Sequence, residues 1–153
     1  MDIIVDSSIW FEYFKGKDPY MTELQTLLNS LTIKIIDPII GEILQGAVNQ
    51  KEIDFIKRHI QFVPKIGIKD LFQKAGEYSF QNKLISKGIG LIDASLIYAT
   101  IETDSLLWTL DKKILNFLDK KFVYSWKIWR NHKSLILTYK EKLPWKKLSS
   151  LSH

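Results

Sequence analysis

Four acidic residues end or interrupt apolar segments of this sequence. Asp6 follows the first apolar run in "DIIVDSSIW", and Asp111 follows "LLWTL". Glu42 lies within "DPIIGEILQGA" and Asp93 within "GLIDASLIYAT". Each has a plain structural explanation, because Asp caps helices and Glu occupies helix faces that meet water. Asp93 is the most informative, since a charge in so apolar a segment is costly to bury without a partner.

Taken together, the four carboxylates could form a metal site. Carboxylates about 4 Å apart repel by roughly 4 kcal/mol per pair at an effective dielectric near 20, so a cluster needs protons or cations. The chain has no cysteine, and no histidine stands beside these acids. An all-oxygen ligand set favours Mg²⁺ or Mn²⁺ over zinc. Such ions activate water and stabilise charge that develops on a phosphate, which points to phosphodiester hydrolysis.

Short apolar runs alternate with longer helix-like stretches and would bring these acids together. The runs rich in strand-forming residues are 2–6, 32–37, 61–64, 105–109 and 121–124. Strands that alternate with helices predict a parallel sheet covered on both faces. The functional crevice of such a sheet lies beyond the carboxyl ends of its strands. Asp6 and Asp111 both fall at that edge.

Helix signals occupy the segments between the predicted strands. Asp37 before Pro38 is typical of an N-cap followed by proline in the first turn. Residues 68–87 predict one long helix. The segment that begins at Gly90 is apolar almost all round, which predicts a helix in the centre of the domain. Asp111 predicts a helix cap directly after a strand.

Charge is distributed unevenly along the chain. Residues 1–111 carry 11 Lys and Arg against 15 Asp and Glu, a net of −4, whereas residues 112–147 carry 11 against 2, a net of +9. A basic segment favours a polyanionic partner such as RNA, although acidic proteins and plain solvation are alternatives. The residues best placed in sequence to contact phosphates are Lys112, Lys113, Lys127 and Arg130.

Size and composition bound the remaining possibilities. A chain of 153 residues with 46% hydrophobic content can bury the core of one compact domain. The lack of cysteine excludes disulfides and thiolate catalysis. The start lacks the basic region of a signal peptide, and the longest charge-free run, 24–33, is far shorter than the ~20 residues that span a bilayer. We therefore expect a cytoplasmic protein without a membrane segment.

Four stretches carry a family resemblance. "IIVDSSIWFEYFKG", "DPIIGEILQGA", "GIGLIDASLIYAT" and "LLWTLDKKIL" resemble, in order and spacing over about residues 2–124, the PIN-domain ribonucleases. More narrowly, they resemble the VapC-type toxins of bacterial toxin–antitoxin pairs. The resemblance implies a three-layer α/β/α sandwich with a five-stranded parallel sheet. It implies a catalytic domain at 1–125, followed by a basic, Trp-containing C-terminal extension at 126–153 whose structure it does not define.

The same resemblance implies an activity and its residues. It implies Mg²⁺- or Mn²⁺-dependent endonucleolytic cleavage of RNA, homodimerisation, and neutralisation by a small antitoxin that inserts a segment into the active groove. It gives the metal-binding and catalytic roles to the four acids already singled out, and a supporting role to two hydroxyls. These residues are Asp6, Glu42, Asp93 and Asp111, with Ser8 and Thr109 in support.

Two departures from the family pattern bear on these roles. The family commonly has a second Asp two residues after the last acid, followed by Phe, where this chain has Lys113 and Ile114. A site with one fewer acid would bind a second ion weakly, so operation with one ion or with two stays open. The other departure is the extension after residue 125. Its tryptophans among lysines could stack on RNA bases or pack against the domain or a dimer mate.

Other functions have weaker support in the sequence. A phosphatase of the haloacid dehalogenase type also begins with Asp after a first strand, but it needs a second Asp where this chain has Ser8. Ser7 and Ser8 lack a recognisable His partner for nucleophilic catalysis. The main alternative is a PIN-like module that binds RNA or protein after losing catalysis, which Lys113 and the basic extension would suit.

Overall fold

The structure is a computed structural model that describes residues 1–125. Two short 3₁₀ helices, Ile85–Lys87 and Lys120–Phe122, accompany the regular elements. The predicted extension at 126–153 lies outside the described residues. The strands and α-helices are β1 (Ile3–Val5), α1 (Ser7–Phe14), α2 (Tyr20–Asn29), β2 (Ile33–Lys34), α3 (Asp37–Gln45), α4 (Gln50–Ile60), α5 (Leu71–Gln81), α6 (Leu91–Glu102), β3 (Leu106–Trp108) and α7 (Lys112–Phe117).

The sheet is parallel, as predicted, with the strand order β2-β1-β3. Ile3 pairs with Ile33 on one side and with Leu106 on the other, and Val5 pairs with Trp108. All three residues of β1 are buried, because helices cover both faces of a central parallel strand and leave it no polar face. The register places the ends of β1 and β3 side by side, so the residues that follow them are neighbours.

The prediction of five strands is wrong for the described residues, which form three. The two outer predicted runs each make a single parallel bridge, through Lys65 beside β2 and through Val123 beside β3. Proline at position 64 has no N–H for a ladder, and the chain around Lys120–Phe122 coils into a 3₁₀ helix. The outer segments therefore lie where the two extra strands were expected but do not extend into ladders.

Helix α6 passes through the centre of the domain, as its apolar sequence predicts. Ala94, Leu96, Ile97 and Ala99 are buried, and α5 packs against the same helix. The single long helix predicted over 68–87 is wrong. Helix α5 ends at Gln81, because Lys83 adopts a left-handed φ of 54° that interrupts the right-handed helix.

The start of α3 differs by one residue from the prediction. Ile36 occupies the N-cap position, and Asp37 is the first helical residue, where its charge favours the positive end of the helix dipole. Asp37 also pairs with Lys65, with 3.1 Å between the carboxylate oxygen and the ammonium nitrogen. Across residues 1–125, the helices are all too short or too polar to cross a membrane.

Candidate active site

Asp6 stands at the N-cap position of α1, yet its side chain caps no backbone N–H. The residue is 4% exposed. Its Oδ2 accepts hydrogen bonds from Ser8 Oγ at 2.7 Å and from Thr109 Oγ1 at 2.6 Å, and its Oδ1 accepts a longer one, 3.4 Å, from Ser7 Oγ. Three hydroxyls, rather than the helix, therefore orient this buried carboxylate.

The two stronger hydroxyl donors are themselves fixed by the chain that follows β3. Ser8 Oγ accepts a hydrogen bond from the backbone N–H of Leu110, and Thr109 Oγ1 accepts one from the N–H of Asp111. A hydroxyl that accepts from a backbone N–H can direct its own proton to a carboxylate. The network therefore joins the ends of β1 and β3 and fixes the position of Asp6 relative to Asp111.

Asp111 caps α7, as the sequence predicts. Its Oδ1 accepts hydrogen bonds from the N–H groups of Lys113 at 2.7 Å and Ile114 at 3.3 Å. The other carboxylate oxygen, Oδ2, accepts no hydrogen bond from residues 1–125. Capping therefore holds the residue in place and leaves one oxygen free to bind a cation or a proton donor.

Asp93 is a half-buried residue in the first turn of α6, whose N-cap is Gly90. Burial, followed in order by the negative charges of Asp6, Asp111 and Glu42, raises the pKa of its carboxyl group from 3.8 to about 6. A hydrogen bond from the backbone of Gly90 opposes the rise. Because electrostatic effects weaken with distance, this pattern means that the three other acids lie near enough to Asp93 for their charges to act on it.

Glu42 reaches the same region from α3. Ile39 and Ile43 bury one face of this helix in the core, while Glu42 itself is half-buried. Helix α3 packs against both α1 and α6, the helices that begin beside Asp6 and carry Asp93. The four acids singled out in the sequence thus lie in one region, on four different helix starts or faces, and their function as a site remains a prediction.

The donor chemistry of the cluster fits a hard divalent ion. Carboxylates and hydroxyls are the ligands that Mg²⁺ and Mn²⁺ prefer. Within residues 1–125, however, no three acidic or histidine side chains are close enough to form a ready ion site. Mutual repulsion of the charges keeps such carboxylates apart when no cation lies between them. The weakly bonded Oδ1 of Asp6 and the Oδ2 of Asp111, which has no hydrogen bond within residues 1–125, are consistent with closure around an ion.

The basic residues predicted to contact RNA are divided by the structure. Lys112 and Lys113 are exposed at the start of α7, and Lys113 Nζ donates a hydrogen bond of 3.3 Å to the carbonyl of Gly88. Lys127 and Arg130 lie outside the described residues. Sequence reasoning did not identify Ser7 or Gly90 as neighbours of the acids. A glycine three residues before an acid at a helix start is a capping pattern that could have indicated the contact to Asp93.

Comparisons with known proteins bear on the fold and on the family resemblance. No family model matches the chain. Over 115 residues it is 26% identical to Ribonuclease VapC32 of Mycobacterium tuberculosis, which covers 73% of this chain and 86% of that protein. Its fold is similar to a chain in the crystal structure of VapBC2 from Rickettsia felis bound to a DNA fragment from their promoter, with a TM-score of 0.63, 19% identity, and coverage of 82% of this chain and 98% of that one. It is also similar to PAE2754 from Pyrobaculum aerophilum, with a TM-score of 0.52, 17% identity, and coverage of 76% and 85%. The resemblance found in the four motifs is therefore confirmed: the chain is similar in sequence to a VapC ribonuclease and similar in fold to a chain of a VapBC complex.

Proposed function

We propose that the chain is a metal-dependent endoribonuclease that hydrolyses RNA phosphodiester bonds as the toxin of a toxin–antitoxin pair. One observation carries the proposal, namely that Asp6, Glu42 and Asp111 lie near enough to Asp93 for their charges to raise its pKa. Such a cluster suits a cation, and perturbed carboxyl groups at the crevice of a parallel sheet are typical of functional sites. The similarity to a protein named as a ribonuclease supports the reaction class.

The four acids would hold Mg²⁺ or Mn²⁺. When bound, the ion supplies positive charge to a phosphate and makes water a better nucleophile. The residues of the chain do the remaining work. Ser8 and Thr109 hold the carboxylate of Asp6 in one orientation, and the first turn of α7 holds that of Asp111. Fixed ligands of this kind position a substrate without reorganisation during the reaction.

Asp93 adds a protonation step to ion binding. With a pKa of about 6, its carboxyl group retains a proton in a measurable fraction of molecules just below neutral pH. A carboxylate binds a divalent ion in its ionised form, so binding releases that proton. We therefore expect ion binding to weaken as the pH falls through 6.

Partners follow from the same proposal. Lys112 and Lys113 in the described part, with Lys127 and Arg130 of the extension, would contact the RNA backbone. A small antitoxin and a second copy of the chain are the proposed protein partners, and the cytoplasm is the proposed location. Similarity to a chain of a VapBC2 complex supports an antitoxin partner.

A catalytically inactive module that binds RNA or protein is the second candidate. Lys113 favours it, because a lysine at the start of α7 brings positive charge to a place where a carboxylate would strengthen an ion site. Metal titration by calorimetry separates the two functions. The enzyme requires Mg²⁺ or Mn²⁺ binding that Asp93→Asn weakens strongly, whereas the module requires none.

Cleavage assays with matched variants test the proposal directly. Asp6→Asn and Asp93→Asn remove a carboxylate charge at nearly constant shape, and both should abolish cleavage while circular dichroism shows a retained fold. Asp104→Asn is the control, since this exposed residue lies between α6 and β3 with a left-handed φ of 49° that Asn tolerates. Full cleavage by both site variants would overturn the proposal.

A further inference from the structure

Lys113 is the positively charged side chain that the fold fixes between the two acid-bearing helix starts of α6 and α7. We propose that Lys113 binds a phosphate of the RNA and that its charge limits the site to one divalent ion. The inference rests on the proposed ribonuclease function and names a residue that offsets the negative charge at that site. Lys113 is not one of the four acids; it stands where the family commonly has a further Asp.

The backbone of Lys113 is held against the site. Its N–H donates a 2.7 Å hydrogen bond to Oδ1 of Asp111, which fixes the residue in the first turn of α7. The side chain then crosses to the loop before α6, where Nζ donates to the carbonyl of Gly88. Two residues later, Gly90 donates its backbone hydrogen bond to Asp93. The ammonium group therefore lies between the helix starts that carry Asp111 and Asp93.

The absence of a side chain at Gly88 lets the Lys113 side chain lie against the backbone. A Cβ at this position would lie 3.2 Å from Nζ and 3.3 Å from Cε of Lys113, tighter than ordinary van der Waals contact. The residue also has a φ of 73°, which glycine adopts without strain. The end of the lysine side chain thus lies directly against the backbone of this loop, and a Cβ at this position would force it to shift slightly.

The ammonium group of Lys113 has N–H donors that remain available for a ligand. Its hydrogen bond to Gly88 is long at 3.3 Å, the residue is exposed, and within residues 1–125 it forms no ion pair. A lysine ammonium has three N–H donors, so two are free of partners from the described part of the chain. A phosphate oxygen is a strong acceptor for such a charged donor.

Charge explains why a fixed ammonium would accompany a single ion. Four carboxylates with one divalent ion retain a net charge of −2, and a phosphate adds a further negative charge. Sites with two ions use the second ion to stabilise oxygens of the phosphate. Lysine can provide that stabilisation as a point charge, and it repels a second cation while adding no oxygen ligand.

Calorimetric titration with Mn²⁺ tests the ion count. The wild-type chain should bind one ion. Lys113→Gln, which removes the repelling charge, should bind that ion more tightly, and Lys113→Asp should either bind a second or bind the first at least about tenfold more tightly. Two ions in the wild type, or an unchanged titration in Lys113→Asp, would overturn the inference alone. No ion bound by the wild type would also overturn the proposed function. Circular dichroism verifies that each variant is folded.

RNA affinity tests the phosphate contact independently of ions. Fluorescence anisotropy with labelled oligouridine in EDTA compares the wild type, Lys113→Gln, Lys113→Arg and the control Lys57→Gln. Lys57 is exposed in the last turn of α4, a helix that ends near the amino end of β2, opposite the acids.

Loss of one phosphate contact should reduce the slope of log affinity against log salt by about 0.7. We expect that reduction in Lys113→Gln, with Lys113→Arg near the wild type and Lys57→Gln unchanged. A salt slope in Lys113→Gln equal to that of Lys57→Gln would exclude the phosphate contact and overturn the inference.

Discussion

The hydroxyl of Thr109 donates a 2.6 Å hydrogen bond to the carboxylate of Asp6, although 103 positions separate the two residues in the sequence. The bond joins the residue after β3 to the residue after β1, and both side chains are buried. It is one of the hydrogen bonds that connect the ends of β1 and β3 to the acidic cluster. A substitution that breaks this bond should therefore affect both the stability of the fold and the activity of the acidic cluster.

Thr109→Val removes this donor at nearly constant volume. Because the buried carboxylate of Asp6 then loses a hydrogen bond, the free energy of unfolding should fall by about 1–3 kcal/mol. Urea denaturation measures that loss, and cleavage assays should show reduced activity because Asp6 is less firmly oriented. Thr109→Ser keeps the hydroxyl and should retain more activity than the valine variant. Equal activity in the serine, valine and wild-type chains would contradict a supporting role for this hydroxyl.

Asp93 should make the ion-free protein less stable as the pH rises. The pKa of its carboxyl group is about 6 in the folded chain against an ordinary value of 3.8, so the folded state binds the proton more tightly. The stability that this raised pKa contributes is fully present below pH 4 and is lost as the pH rises through 6. Asp93→Asn should remove this loss, and after allowance for its partial exposure the gain at pH 7.5 is about 1–2 kcal/mol.

Urea denaturation in EDTA at pH 4.5 and 7.5 measures this effect. The difference in unfolding free energy between Asp93→Asn and the wild type should be larger at pH 7.5 than at 4.5. Asp104→Asn serves as the control, because it removes an exposed carboxylate away from the cluster. The same pH dependence in both variants would show that the effect does not arise from the acidic cluster.

Glu42→Gln should weaken Mn²⁺ binding without unfolding the chain. Glu42 is half-buried on α3 and adds one of the charges that raise the pKa of Asp93. Fewer ligand charges lower divalent-ion affinity, and we expect a loss of roughly tenfold or more by calorimetry. Glu77→Gln on the exposed face of α5 is a matched control. An unchanged affinity in Glu42→Gln would exclude this residue from the ion site.

Asn49→Ala should separate stability from catalysis. The Asn49 side chain caps α4 by accepting a hydrogen bond from the N–H of Glu52 at 3.0 Å. Its loss should lower the unfolding free energy by about 1 kcal/mol. Cleavage per folded molecule should stay at the wild-type level, because neither residue belongs to the acidic cluster. A strong loss of activity in a folded Asn49→Ala protein would indicate that α4 contributes to the site.

The sequence predicts those parts of the fold that depend on local patterns. The runs around β1 and β3 are apolar in themselves, and α6 is apolar almost all round, so their burial follows from composition. The outer runs are also apolar, but strand length depends on ladder partners elsewhere in the chain. A proline and a 3₁₀ helix reduce both to single bridges, which periodicity does not reveal.

The candidate site shows the same division. Asp6 and Asp111 both follow strands and both suit a helix cap, but only Asp111 caps backbone N–H groups. The difference arises because Thr109 and Ser8 meet Asp6 across the sheet, a contact between distant parts of the chain. The contact of Lys113 with Gly88 is equally non-local. Residue types thus indicate candidate ligands, while hydrogen-bond partners depend on the folded register.

The dependence of RNA cleavage on divalent ions tests the central claim most directly. The purified wild-type chain should cleave single-stranded RNA in Mg²⁺, lose that activity in EDTA, and regain it when Mn²⁺ is supplied in excess. Asp93→Asn should be inactive under all three conditions, and Asp104→Asn should behave as the wild type. Cleavage by the wild type that persists in EDTA, or cleavage by Asp93→Asn at the wild-type rate, would contradict the account.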